Sequence, residues 1–222
     1  MRPFLALLAS LVFSTAFAGT TIDLSAEASL PAANDLLKAV VYSEANGSDP
    51  AEIARRVNQE IAEALRLIRN KPSVTVKTGN QHTYPVYGNN RRIDGWRMHS
   101  ELLLESKDLA TLSELLGRLQ QMKLALGNVT QLPSSGTRLE IEEAATREAI
   151  KAFERRAGVI AQAMGKPYRI KQLNIQQAGS FPPVMPMRAA RAMLAADAAP
   201  PPIEAGESTL TVSISGQIEL ND

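Results

Sequence analysis

His82 and His99 are the chain's whole supply of imidazole, and there is no cysteine. A histidine does acid–base work only beside a placed nucleophile or carboxylate, and a zinc site asks for three or four ligands. His82 falls at the polar end of one predicted strand and His99 lies inside another, between Met98 and Ser100. Each reads as a surface or structural residue. Met185, Met187 and Met193 carry soft thioethers. Such groups hold Cu(I), take up oxidants as sulfoxide, or simply make a pliable contact surface. Tyr84, Tyr87 and Trp96 combine apolar rings with polar tips, which suits the wall of a ligand site or an interface; a small satellite core under a loop is the other reading. Arg156 flanks the apolar stripe of a predicted helix, where it can pair with a carboxylate across a packing seam or hold an anion. There is no Gly-rich phosphate loop, no GxSxG and no HExxH. No catalytic residue, metal site or cofactor is assigned, and the expected protein is not an enzyme.

The elements that must position these residues read as follows. Thr20 to Leu30 alternates apolar and polar as a strand. Leu36 to Ala45 is a second strand, expected to pair with the first. Asp49 caps a helix with Pro50 at its first position, and Ile53, Val57, Ile61, Leu65 and Ile68 form its stripe. Val74 to Thr83 is a strand. Tyr84 to Asn90 is a loop by its aromatic and turn residues. Arg92 to Ser106 is a long strand, and Asp108 caps a second helix. Leu124 to Leu132 is a strand that leads into the longest helix, Thr137 to Gly165.

In that helix Ile141, Ala145, Ala149, Phe153, Ala157, Ile160 and Met164 recur at three- or four-residue spacing, with Ile150 and Ala161 widening the stripe. Thr137 and Glu140 have the spacing of a capping box. Gly165 and Pro167 end the helix, which is about 40 Å long at 1.5 Å per residue. Much of the stripe is alanine, so a sheet, a helix or a neighbouring subunit can approach the backbone closely. Tyr168 to Gln176 alternates again, as does Ser208 to Leu220, with Leu210, Val212, Ile214, Gly216, Ile218 and Leu220 on one face. Short turns between strands favour antiparallel pairing. The expected class is α+β: mostly antiparallel sheet with three main helices, βαβ-type units, and the long helix packed on sheet.

Composition bounds the rest. Arg2 followed by apolar Phe4 to Phe17, then Ala16 and Ala18, reads as a signal peptide over 1–18 with a mature start near Gly19. The run is short of the roughly 20 residues that span a bilayer, which makes an uncleaved anchor the weaker reading, and no later stretch is apolar enough to cross a membrane as a helix. Without Arg2 the basic and acidic residues are equal at 23 each, which argues against nucleic acid as a bulk electrostatic partner. Zero cysteines exclude a disulfide framework. Residues 178–207 are rich in Ala, Pro and Met, with Pro200, Pro201 and Pro202 in a row. Such a composition reads as a mobile excursion. The folded part is then 19–177 with 208–222, as one domain or two subdomains divided near residue 90.

Several blocks carry a family resemblance. They are Tyr84-Pro85-Val86-Tyr87, Arg92-Ile93-Asp94-Gly95-Trp96-Arg97, Leu102 to Leu109, Leu116-Gly117-Arg118-Leu119-Gln120, Ala149 to Ala157, Met164-Gly165, and the terminal strand from Val212 to Leu220. In this order and spacing they resemble the SIMPL domain family, the group that includes the periplasmic immunogenic protein of bacteria. The resemblance implies a periplasmic α+β protein, homo-oligomers that are ring-like or channel-like in some relatives, and a link to envelope and oxidative stress tolerance. It brings no catalytic residues. The long Pro/Met-rich excursion departs from the pattern. The expected function is that of a non-enzymatic, self-associating exported protein. The alternative is a small-ligand or peptide binding module walled by the Tyr84–Trp96 region.

Overall fold

The computed structural model describes residues 19–88, 92–181 and 206–221, with backbone placement alone for 177–181. The predicted signal peptide, the three methionines of the excursion and the boundary considered near residue 90 lie outside the described residues. Three helices and seven strands follow in the order β1 (Thr20–Ala33), β2 (Leu36–Gly47), α1 (Pro50–Arg69), β3 (Thr75–Tyr87), β4 (Ile93–Ser106), α2 (Leu109–Gln121), β5 (Ala125–Leu132), α3 (Ser135–Met164), β6 (Tyr168–Phe181) and β7 (Glu207–Leu220). They build two antiparallel sheets, ordered β3-β4-β2-β5 and β1-β7-β6. The class is α+β, as the alternation and helical periods require.

The four-stranded sheet and its two helices form a βαββαβ unit. β2 and β3 both pair antiparallel with β4, and β4 and β5 both pair antiparallel with β2. Each helix therefore crosses between parallel strands with one strand left between them, the split βαβ arrangement of ferredoxin-like folds. Leu37, Ala39, Val41 and Ala45 of β2 and Met98, Leu102 and Leu104 of β4 face Ile53, Val57, Ile61 and Ile68 of α1 and Leu112, Leu115, Leu116 and Leu119 of α2. Asp49 accepts from the Ala51 N–H and Asp108 from the Thr111 N–H, at 2.8 and 3.0 Å. Both predicted caps hold.

The second layer pair is α3 against β1 and β7. Here the register runs unbroken through fourteen pairs, from Thr20 opposite Leu220 to Ala33 opposite Glu207. The buried face of α3 is Ala145, Ala149, Phe153, Ala157 and Ala161. These positions recur at strict four-residue spacing. A 3.6-residue helix turns about 40° further with each such step, so the stripe winds around the helix and follows a twisted sheet. That drift corrects the expected face: Met164 is exposed, and Ala161 takes the buried place one turn earlier. Phe153 fills the space over Gly216, where an added Cβ would stand 3.1 Å from the Phe153 ring and 2.2 Å from the Gln172 carbonyl oxygen.

Three local expectations change. β1 pairs with β7 and not with β2, because Asn34 and Asp35 carry the chain from one sheet to the other without reversing it. The α3 cap is Ser134, whose hydroxyl accepts from the Thr137 N–H at 3.4 Å. Thr137 instead donates its hydroxyl to Asp35, 2.9 Å away. Finally, Tyr84 to Tyr87 is not loop: it continues β3 opposite β4. Pro85, which lacks an N–H, is tolerated because β3 is an edge strand.

Asp35 is the junction of the two layer pairs. Its carboxylate accepts from the Ser134 N–H (2.6 Å) and the Ser134 and Thr137 hydroxyls, and pairs with Lys107 at 3.0 Å. Burial alone would raise its pKa, yet these donors together hold it far below the ordinary aspartate value. Next to it, Asn34 is buried and binds the Ser208 hydroxyl at 2.7 Å and the Gly206 carbonyl at 2.9 Å. No helix among the described residues is long and apolar enough to cross a membrane.

Candidate functional site

Both helices of the βαββαβ unit pack on one face of its sheet, so the opposite face stands open. Strand alternation sends Tyr42 and Glu44 of β2, Arg97, His99 and Glu101 of β4, and His82 and Tyr84 of β3 to that face. Their rings stand in a ladder across three strands. The ring-centroid separations are 4.7 Å for Tyr42–His99, 5.2 Å for His99–His82 and 5.4 Å for His82–Tyr84. Cross-strand neighbours of this kind stabilise a sheet by roughly 0.2–1 kcal/mol each.

His99 is the centre of the ladder. Its Nε2 lies 3.0 Å from Glu101 Oε1, and its Nδ1 lies 3.5 Å from Glu44 Oε2. Arg97 in turn pairs with Glu44 at 3.6 Å and donates to the Asn46 side chain at 2.7 Å. The hydrogen bond with His99 lowers the Glu101 pKa first; against the cost of desolvation, the Asn80 N–H and the neighbouring His82 add to this. In this arrangement no three His, Asp or Glu groups among the described residues converge on one point.

The residues singled out from sequence fall in three different places. Tyr84 belongs to the ladder. Trp96 does not share its wall: opposite Pro85, it points to the helix side of the sheet and packs half-buried against the core of α1 and α2. Tyr87 sits at the outer end of the hairpin opposite Ile93, both exposed. Arg156 is on the other layer pair and meets a carbonyl, not a carboxylate: it donates to the main-chain oxygen of Ser25 on β1. Tyr42, Glu44, Arg97 and Glu101 were not singled out. A signal for two of them exists in the alternation Arg97, His99, Glu101, and a hairpin folded symmetrically between 82 and 99 brings His82 opposite His99. Tyr42 and Glu44 join only through the pairing of β2 with β4, which no local pattern encodes.

Two other surfaces stand out. The uncovered face of the three-stranded sheet is polar, and a shallow groove of about 410 Å³ there is lined by Asp23, Ser25, Gln172, Asn174, Ser215 and Gln217. Beside it Glu219 pairs with Arg169 and with Lys171, the latter at 3.4 Å. The other surface is β6. It is an edge strand among the described residues, pairing with β7 alone. Ile170, Leu173 and Ile175 lie on its α3 side and stay 38, 40 and 47% exposed.

No curated protein matches the chain. The family profile described as "SIMPL: Protein of unknown function (DUF541)" matches residues 22–218. That span runs from β1 through both layer pairs to two residues before the end of β7. With that coverage, the chain belongs to the SIMPL family.

Proposed function

We propose that this protein is a non-enzymatic, exported periplasmic component that self-associates and supports envelope or oxidative stress tolerance. One observation carries the self-association: among the described residues β6 presents an edge paired on one side only, together with three half-exposed aliphatic side chains on the same strand. An edge strand offers a row of free N–H and C=O groups to a second chain, and an aliphatic row beside it rewards that pairing by leaving water. A single polar edge would be solvated; an apolar one is stabilised by being covered. The N-terminal signal read from Arg2 and the following apolar run supports export, and the family resemblance supports the stress role.

Light scattering on residues 19–222 tests the association. The expected mass is a multiple of the chain at micromolar concentration, and the double variant Leu173→Lys, Ile175→Lys is expected to sediment as a monomer with unchanged far-UV circular dichroism. A monomeric wild type sinks the proposal. The stress role is checked by peroxide and detergent sensitivity of a deletion strain, rescued by the wild type and not by the edge variant.

A further inference from the structure

We propose that β6 pairs antiparallel with the β6 of a second copy of this chain about a two-fold axis at Asn174, so that Leu173 of each copy lies opposite Ile175 of the other. This pairing rests on the self-association proposed above and gives it a symmetry and a register.

Gln172-Leu173-Asn174-Ile175-Gln176 reads amide, aliphatic, amide, aliphatic, amide from either end. Residues directly opposite one another in an antiparallel pair point to the same side of the sheet. A strand that is chemically a palindrome is therefore complementary to itself, as a two-fold interface requires. The register with β7 fixes the faces. Gln172, Asn174 and Gln176 stand opposite Gln217, Ser215 and Ser213 on the open side, and Leu173 and Ile175 stand opposite Gly216 and the buried Ile214 on the α3 side. Paired about Asn174, two copies set Leu173 against Ile175 twice on one face. On the other face Gln172 meets Gln176 twice and Asn174 meets Asn174, and these amides both donate and accept. An axis at Leu173 would instead set Ile175 against Lys171, and an axis at Ile175 would set Leu173 against position 177, so either shift loses the aliphatic match. A slip of one residue would turn apolar side chains onto the amide face.

Charge agrees with the same choice. Arg169 and Lys171 stand just before the segment, and both pair with Glu219. In the proposed register Lys171 falls opposite position 177, clear of its counterpart. A parallel pairing in register would set Lys171 beside Lys171 and Arg169 beside Arg169, like charge against like.

The other edge of this sheet shows that a palindrome alone is not enough. Leu24-Ser25-Ala26-Glu27-Ala28-Ser29-Leu30 of β1 also reads alike in both directions. Its centre is Glu27, which a two-fold axis would set against Glu27. Its Ser25 carbonyl already accepts from Arg156, and the strand packs against α3. Among the described residues β6 is paired on one side only, and Leu173 and Ile175 keep much of their surface in water. Pairing at β6 yields one six-stranded sheet, β1-β7-β6-β6-β7-β1, with both α3 helices on the same face.

Disulfide trapping tests the register. The chain has no cysteine, so an introduced thiol reports its own neighbour. Direct cross-strand partners lie about 4.5–5.5 Å apart at Cα, inside the range of about 4.4–6.8 Å that a disulfide spans. In residues 19–222 under mild oxidation, Asn174→Cys alone is expected to give a covalent dimer as the main product on non-reducing gels. Gln172→Cys and Gln176→Cys should each stay largely monomeric when expressed alone and cross-link when co-expressed. Thr78→Cys, on the edge strand β3, measures chance collision. Should Asn174→Cys fail to fold, the co-expressed pair decides. A multimer by light scattering with neither cross-link above the Thr78→Cys level overturns the β6–β6 register and leaves self-association standing. A monomeric wild type overturns both. Cross-linking of Leu173→Cys with itself, without the Gln172–Gln176 product, moves the axis to Leu173 and also overturns the register.

Discussion

At the scale of single residues, Asp35 has the most to lose. It is acceptor to one N–H and two hydroxyls and ion-pair partner to Lys107, and these contacts tie the strand link to the start of α3 and the end of β4. A depressed carboxylate pKa stabilises the fold fully above the ordinary value, and that stabilisation fades as pH falls towards the folded-state value. Asp35→Asn is expected to cost about 1–3 kcal/mol at neutral pH. In urea unfolding the gap between wild type and variant should narrow at about pH 2.5, where the wild-type carboxylate has lost part of its advantage over the unfolded chain; a gap equal at both pH values would contradict this. Phe153 is the second case. It is the one large side chain on an alanine stripe, and it seats on Gly216. Phe153→Ala should cost about 3–5 kcal/mol, roughly 10 °C in melting temperature for a chain of this size. Gly216→Ala should destabilise by roughly 1–3 kcal/mol, because its Cβ would meet a backbone oxygen that cannot swing away. A melting point within 1 °C of wild type for either variant would mean that the close approach of α3 to β7 is wrong.

At the scale of elements, the two sheets treat their open faces differently. The three-stranded sheet turns outward Ser, Thr, Asn, Gln and paired charges, which water satisfies without help. The four-stranded sheet turns outward a ring ladder in which His99 has both nitrogens engaged by carboxylates. Edges differ too. β3 carries Pro85, a residue that blunts an edge by removing a donor. β6 has no proline among its described residues; it carries Ile170, Leu173 and Ile175 between the charged Arg169 and Lys171 and the polar Gln172, Asn174 and Gln176. This contrast is why the proposed association is assigned to β6. Transferring the lysine substitutions to the exposed β3 residues Thr78 and Thr83 should leave the particle mass of the wild type unchanged by light scattering; dissociation there would move the interface to β3.

At the scale of the whole molecule, two apolar clusters exist side by side, one under α1 and α2 and one under α3. They meet through the two-residue link Asn34–Asp35, the cap at Ser134 and the Asn34–Ser208 bond. Calorimetry on the wild type should therefore show one cooperative transition, because each layer pair completes the polar partners of the other. Asp35→Ala is expected to split or broaden it into two. Identical single transitions for both proteins would show that the clusters are coupled by something other than this junction.

Much of this was legible in the chain before folding. Helix spans, the Asp49 and Asp108 caps, the αL stop at Gly165 and the alternation of β7 are local matters, set by dihedral preference, capping and apolar period within a dozen residues. So was the alanine surface of α3. What only the tertiary structure decided was partnership between distant segments. β1 chose β7 across nearly the whole chain, Tyr84 and Trp96 parted to opposite faces once β3 ran on through Pro85, and two histidines that mean little by composition met two glutamates through the register of β2, β4 and β3. The reason is that strand order and register are fixed by which faces can be buried together, a property of the assembled layers that no single stretch of residues contains.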